Sequence, residues 1–326
     1  GAALRRAGRM AGLPLGAPPE LVQLRRAAAL DADVALSFAG YINPDLWTSR
    51  NALLVPDIQH EYHPEFFTAE ALAERRRLFG ASIAHADAVC AISAFTKATL
   101  VERLGVPAGR ITVAHLAHTP LQDPVHGLLP PAEAARRVRR AFGLEAGRYL
   151  FLPGHTWHHK NHRAAIEALA ILRDRHGLAM TLVCTGGARE AQPALEALAA
   201  ARGLAAEVRF LGYVDEALLP ALYRAAAALV FPSRFEGFGM PVVEAMSYGC
   251  PVVCSSTTSL PEVAGDAALL VDPDDWEGLA DAVRRLATRP DLRADLVARG
   301  FLQARRFSWR AFTLTLPAAL RRAAGP

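Results

Sequence analysis

Apolar and polar positions alternate between two periods along this chain. Short apolar runs of strand length lie at Tyr149–Leu152, Met180–Cys184, Val208–Leu211, Ala227–Phe231, Pro251–Cys254 and Ala268–Val271. Each is short and nearly continuous, as expected of parallel strands buried on both faces. Between them Ala165, Ala168, Leu169 and Leu172, and then Leu219, Leu222, Tyr223 and Ala226, recur at helical spacing. The second half therefore predicts a doubly wound α/β domain. The first half repeats the habit less completely, with strands at Val34–Phe38, Ala52–Val55, Ala88–Ile92 and Ile111–Leu116, a helix over Thr68–His85, and Ser93 as N-cap of the next helix. Gly1–Asp33 reads instead as a loop and an arginine- and alanine-rich helix; Gly8, Gly12 and Gly16 follow no apolar strand, so the first domain is expected to be incomplete. His126–Pro131 is loop-like and sets a linker between residues 120 and 147, giving domains of 1–145 and 146–326, with the last helix crossing back.

The pattern is most informative at Phe231–Val253. A buried strand ends at Pro232 and Ser233, a loop carries Gly237 and Gly239, Pro241 suits a first helical turn, and Gly249 suits its end. In a parallel sheet this junction lies at the carboxyl end of a strand, where ligands bind, and a helix start favours an anion. Glu236 falls in the loop and Glu244 early in the helix, with seven residues between them. Two carboxylates beside an anion site suit a ligand bearing both phosphates and hydroxyls, such as a nucleotide sugar. The plainer reading of such a glutamate is a surface residue complementing the helix dipole.

Composition adjusts this picture only slightly. At 52% hydrophobic and 21% charged the chain reads as globular, and 326 residues suffice for two domains. No apolar stretch approaches the roughly 18 residues of a membrane span, and the start lacks a signal core, so a cytoplasmic location is expected. A net charge of +4 gives no support to nucleic-acid binding. Basic clusters at Arg136–Arg140 and at Arg305, Arg306, Arg321 and Arg322 read as solvated faces, with peripheral docking on the inner membrane surface as the alternative. Cys90, Cys184, Cys250 and Cys254 form no disulfide framework, since a strand would hold the last two roughly 13 Å apart, and buried free thiols are expected.

A second cluster, LPGHTWHHKNH over Leu152–His162, follows the first strand of the second domain. Lys97 and Lys160 are the only lysines among 36 Lys plus Arg, so a lysine at 160 is not compositional drift. Its ammonium is a point charge that meets a phosphate without the planar constraint of guanidinium. Asn161 either caps the next helix or touches ligand. The histidines of the cluster read as solvated or phosphate-adjacent; no carboxylate accompanies them, no HExxH or paired CxxC occurs, and no metal is inferred.

PSRFEGFGMPVVEAMSYGCPVV followed by SSTTSLPEVAGDAALLVDPDD resembles the family 4 (group 1) glycosyltransferases of the GT-B fold, well from about Leu150 to Trp309 and less upstream. The resemblance implies two Rossmann-like doubly wound domains facing a cleft. It also implies a retaining hexosyltransferase whose nucleoside diphosphate sugar is co-substrate, with no further cofactor and a sugar or lipid-linked sugar as acceptor. Glu236 would contact the donor sugar and Glu244 the ribose. Lys160, with His155 at a position commonly arginine, would bind the diphosphate beside the main chain of Gly237, Phe238 and Gly239. Val214 would pass the nucleobase; the alternative there is an ordinary strand-end turn. Thr185, Gly186 and Gly187 would line the same crevice or serve close packing. In VPDIQHEYHPEFF the family's His-Asp is replaced by Pro56-Asp57, leaving His60 as candidate catalytic histidine, His63 next, or a histidine that only anchors the loop. A GT-B sugar-nucleotide epimerase and a non-catalytic nucleotide-sugar-binding module are the other readings.

Overall fold

A computed structural model describes residues 34–38, 40–42, 50–118 and 128–324. The expectations for Gly1–Asp33, including Gly8, Gly12 and Gly16, and for His126 lie outside these residues. The chain divides into two compact units, residues 1–114 with 313–326, and residues 115–312.

Unit 1 holds four parallel strands, β1 (Ala35–Ser37), β2 (Asn51–Val55), β3 (Ala88–Ala91) and β4 (Ile111–Val113), in the order β1-β2-β3-β4. Every residue of β2 and β3 is buried, which is why these runs are apolar without alternation. Helix α1 (Ala69–His85) starts at Thr68, whose hydroxyl accepts the Ala71 N–H at 3.2 Å. Helix α2 (Ala94–Leu104) starts at Ser93, whose hydroxyl accepts the Thr96 N–H at 2.9 Å, as its cap spacing predicts. Leu53, Val55, Phe79, Ile83, Val89 and Leu100 share the core. Residues 313–326 belong to this unit, where Ala323 packs with Ala52 and Ala88.

Unit 2 begins with α3 (Pro131–Phe142) and carries six parallel strands, β5 (Tyr149–Pro153), β6 (Thr181–Thr185), β7 (Val208–Phe210), β8 (Ala228–Phe231), β9 (Val252–Ser255) and β10 (Ala268–Val271). Their order is β10-β9-β8-β5-β6-β7. The chain winds outward from β5 to β7, returns to the middle at β8, and winds the other way to β10. Adjacent β5 and β8 thus send their following loops in opposite directions and leave a crevice at their carboxyl ends. Helices α4 (His162–His176), α5 (Gln192–Ala201), α6 (Leu219–Ala225), α7 (Met240–Ser247), α8 (Leu260–Ala264), α9 (Trp276–Thr288) and α10 (Pro290–Ala304) fill the connections, and α11 (Trp309–Ala324) ends the described chain. Leu150, Leu182, Val230 and Val253 of the sheet pack with Ile166 and Leu169 of α4 and Val283 and Leu286 of α9. All four cysteines are buried free thiols, and burial pushes Cys250 and Cys254 up to about 12. No described helix is long and apolar enough to cross a membrane.

Candidate functional site

The crevice is built from the loops that leave β5 and β8. After β5 the chain turns at Gly154 (φ 142°), over which the Lys160 stem passes; a Cβ there would meet Lys160 Cδ at 3.7 Å. A 3-10 turn, His158–Lys160, then aims the ammonium at the other loop. Lys160 Nζ donates to Glu236 Oε1 at 2.7 Å and stands 5.3 Å from the centre of the Phe231 ring. The two side chains are 18% and 12% exposed, so the ion pair is sheltered but still reached by solvent. The residues singled out in two separate stretches of sequence thus meet directly.

Asn161 neither caps α4 through its side chain nor faces outward. It sits at φ 55°, a left-handed conformation that asparagine tolerates. Its buried amide donates to the Pro232 carbonyl at 3.0 Å and the Pro273 carbonyl at 2.8 Å. Both amide hydrogens are therefore used to tie together the loops after β5, β8 and β10. The first two loops are further joined where Arg234 N–H and the Ser233 hydroxyl both donate to the His159 carbonyl, at 2.7 and 3.0 Å.

Gly239 (φ 105°) precedes α7, and a Cβ on it would lie 2.5 Å from Leu260 Cδ2, so backbone conformation and space both call for glycine. Gly237, expected to share that role, is not in the left-handed region. The loop is braced from β9: Thr258 Oγ1 accepts the Glu236 N–H at 3.2 Å, and the Ser259 hydroxyl reaches the carbonyls of Glu236 at 2.9 Å and Phe238 at 2.8 Å. Phe238 is buried edge-on against Phe307 at 5.3 Å, so its main chain, not its ring, is what a ligand could meet. No side chain caps the start of α7; Pro241 has no N–H and the Val242 N–H donates to the Gly239 carbonyl at 3.0 Å, so only the remaining main-chain donors of that end could meet an anion.

Glu244, within α7, accepts a hydrogen bond from the Tyr223 hydroxyl at 2.5 Å. Burial raises its carboxyl above the usual carboxylate value, and the Tyr223 bond opposes that rise. On the β6 side, His155 Nδ1 accepts the Gly187 N–H at 2.8 Å, which leaves Nε2 as the ring's donor. Gly186 (φ 109°) is a packing glycine, since a Cβ there would fall 2.7 Å from the Gly154 carbonyl carbon. The Tyr213 ring is 76% exposed and stands edge-on to His155 at 5.7 Å, while Val214 beside it is half-buried.

Two histidines turn inward. His162 is 1% exposed; burial, and then the nearby Lys160 charge, push it down to about 4, against a smaller opposing effect of the Gly154 main chain. In unit 1 a helical turn, Gln59–Tyr62, folds His60 into the core at 2% exposure, tilted on Phe79 at 4.8 Å. Its Nε2 is closed off from solvent without a hydrogen bond, 3.7 Å from Glu61 Oε1. This is the geometry of the anchoring alternative. His63 is half-buried, stacked on Phe66 at 5.0 Å with Nδ1 3.0 Å from Glu65. Among the described residues no group of three or more His, Cys, Asp or Glu is placed to hold a metal ion.

Sequence reasoning singled out the two glutamates and the lysine but not the groups that hold them. Tyr223 was read only as a helix-face residue, and Thr258 and Ser259 only as part of a string. A signal was present for Tyr223: a buried phenol needs a hydrogen-bond partner.

Comparison with known proteins agrees with this layout. Among curated relatives, O-antigen chain mannosyltransferase B of Escherichia coli is 33% identical over 249 residues, which are 76% of this chain and 63% of that one. O-antigen chain mannosyltransferase RfbU of Salmonella typhimurium is 27% identical over 239 residues, 73% of this chain and 61% of that one. The chain spans about three fifths of the length of these relatives. Anabaena HepE, solved with UDP and glucose, superposes with a TM-score of 0.75 at 20% identity, covering 94% of this chain and 83% of that one. Sucrose-phosphate synthase of Thermosynechococcus elongatus superposes at 0.69 with 25% identity, covering 84% and 68%. The fold is GT-B, with two Rossmann-like α/β units. The family described as glycosyl transferases group 1 matches residues 136–303, which contain the whole β5–β8 crevice, and the chain belongs to that family.

Proposed function

We propose that the crevice at the carboxyl ends of β5 and β8 binds a nucleoside diphosphate sugar, and that the protein transfers the hexose, with retention, to a hydroxyl of a saccharide acceptor. The observation that carries this reading is the pairing of Lys160 with Glu236 at 2.7 Å in front of an uncapped helix start. A cation and an acceptor side by side match a phosphate and a hydroxyl side by side. Lys160, the start of α7 and the Nε2 donor of His155 would meet charge developing on the departing diphosphate. Glu236 would take hydroxyls of the sugar, and Glu244 those of the ribose. Val214 would border the base. His60, turned into the core of unit 1, is given an anchoring part rather than a chemical one.

Two relatives named as O-antigen mannosyltransferases support mannose as the sugar and a cell-surface polysaccharide as the product. The test is to incubate the protein with GDP-mannose, UDP-glucose or ADP-glucose and a mannose-terminated oligosaccharide, and to read the anomeric coupling of the product by NMR. An α-linked product from an α-linked donor is expected. A β-linked product would overturn retention, and conversion of the donor without any acceptor would favour the epimerase reading.

A further inference from the structure

A buried tyrosine must find a partner for its hydroxyl, and in unit 2 that partner is one of the two glutamates of the crevice. Tyr223 is 1% exposed. Its ring stands edge-on to Phe151 of β5 at 4.9 Å and lies stacked with Tyr248, just past α7, at 5.5 Å. Tyr149 of β5 donates its own hydroxyl to the Leu222 carbonyl at 2.5 Å and so pins α6 to the sheet. The phenol is thereby held on three sides, and from that position it donates to Glu244 Oε2. The other carboxylate oxygen, Oε1, has no hydrogen bond to a described residue and is not closed off from solvent.

From this arrangement we infer that Tyr223 is a positioning residue for ligand binding: by occupying Oε2 it turns Oε1 of Glu244 toward the vicinal hydroxyls of the ligand and keeps the carboxyl an acceptor. This inference rests on the reading of Glu244 as the ribose acceptor. The titratable and charged groups on the elements packed around α7 are Tyr223 and Arg224 of α6, Tyr248 and Cys250 beyond α7, Glu262 of α8, Asp291, Arg293, Asp295 and Arg299 of α10, and His118, which precedes α3. Arg224 is turned to the Tyr248 carbonyl at 3.3 Å, Arg293 to the Ala226 carbonyl at 3.3 Å, and His118 Nε2 lies 3.1 Å from the Ser247 hydroxyl. Burial and the Tyr223 hydroxyl are what act on the Glu244 carboxyl, in opposite directions. A protonated Glu244 could offer Oε1 less readily to two hydroxyls, so removing the Tyr223 donor weakens the site through geometry and through charge. The charge effect grows as pH falls.

The experiment is a calorimetric comparison of UDP, GDP and ADP with their 2′,3′-dideoxy counterparts, between about pH 5 and 8, on the wild type, Glu244→Ala and Tyr223→Phe. The wild type is expected to prefer the ribonucleotide by about tenfold, the scale of one hydrogen bond to a charged group, and Glu244→Ala to lose that preference. In Tyr223→Phe the preference narrows several-fold at neutral pH, and the pH at which it disappears moves up, because the bond that lowers the Glu244 carboxyl is gone. A wild type indifferent to the ribose hydroxyls would sink the Glu244 reading itself. A wild type that discriminates, a Glu244→Ala that does not, and a Tyr223→Phe matching wild type at every pH would overturn this inference and leave the Glu244 reading standing. Should Tyr223→Phe not fold, 3-fluorotyrosine installed at position 223 is a stronger donor of nearly the same volume. It should move the midpoint down, and an unmoved midpoint overturns the inference.

Discussion

Unit 1 and unit 2 each place a histidine-bearing loop at the carboxyl end of a buried parallel strand, and the two junctions end differently. After β2, the turn Gln59–Tyr62 rolls His60 onto Phe79 and closes Nε2 off from solvent. After β5, the loop puts His162 inside, where it begins α4, but presents Lys160 to Glu236 and leaves both partly reachable by water. The difference lies in what the neighbouring loop offers. Beside β5 stands β8, whose own loop brings a carboxylate and an uncapped helix start. The strand-loop-helix plan alone does not make a site; two such loops diverging from adjacent strands do.

The largest effect expected of this difference concerns acid. Unfolded, His162 would take up a proton near pH 6.5; folded, it does so only near 4. The unfolded chain thus binds more protons between those values, and unit 2 loses stability as pH falls through that window, by about 3 kcal/mol. Chemical denaturation at a series of pH values reads this directly, and His162→Gln should flatten the slope. An equally steep slope in that variant would remove His162 as its cause. His60 is shifted in the same direction, chiefly by burial, so unit 1 too loses stability as pH falls below 6.5.

Next comes Lys160→Ala, which should weaken nucleotide-sugar binding on the order of 100-fold, as expected for loss of a charge-assisted hydrogen bond to a phosphate. Melting should change far less, because Glu236 at 12% exposure can still reach water. A variant that unfolds but binds normally when folded would make Lys160 a structural residue and erase the contrast between the junctions. The smallest effect belongs to unit 1: His60→Phe keeps a ring against Phe79 and removes an unpartnered nitrogen, so donor affinity should stay within about twofold and stability within about 1 kcal/mol. A tenfold fall in turnover there, with melting unchanged, would return His60 to the chemistry.

Much of this contrast was legible in the sequence. The strands lie within a residue or two of the apolar runs in unit 2, because strands buried on both faces leave an unbroken local signature. Ser93 was readable as a cap because its partner is only three residues away. Glu236 and Glu244 were legible as carboxylates in otherwise apolar or glycine-rich stretches, and Lys160 as one of two lysines in a chain that otherwise uses arginine. What could not be read were the long-range bonds that hold them. Asn161 meets carbonyls 71 and 112 residues further on, and no local period announces such a partner. The same holds for Tyr223 with Glu244 and for Thr258 under Glu236. The inward turn of His60 was not readable, because sequence gives the spacing from a strand but not the sense in which a four-residue turn rolls its side chains.

The most direct test of the crevice as the donor site is hydrogen–deuterium exchange of the protein with and without a saturating nucleotide sugar, taking whichever of GDP-mannose, UDP-glucose and ADP-glucose binds best. Added protection is expected in the peptides covering Gly154–Asn161 and Ser233–Glu244, and none in those covering β7 or α5. A bound donor that leaves Gly154–Asn161 and Ser233–Glu244 exchanging at their unliganded rates would contradict it.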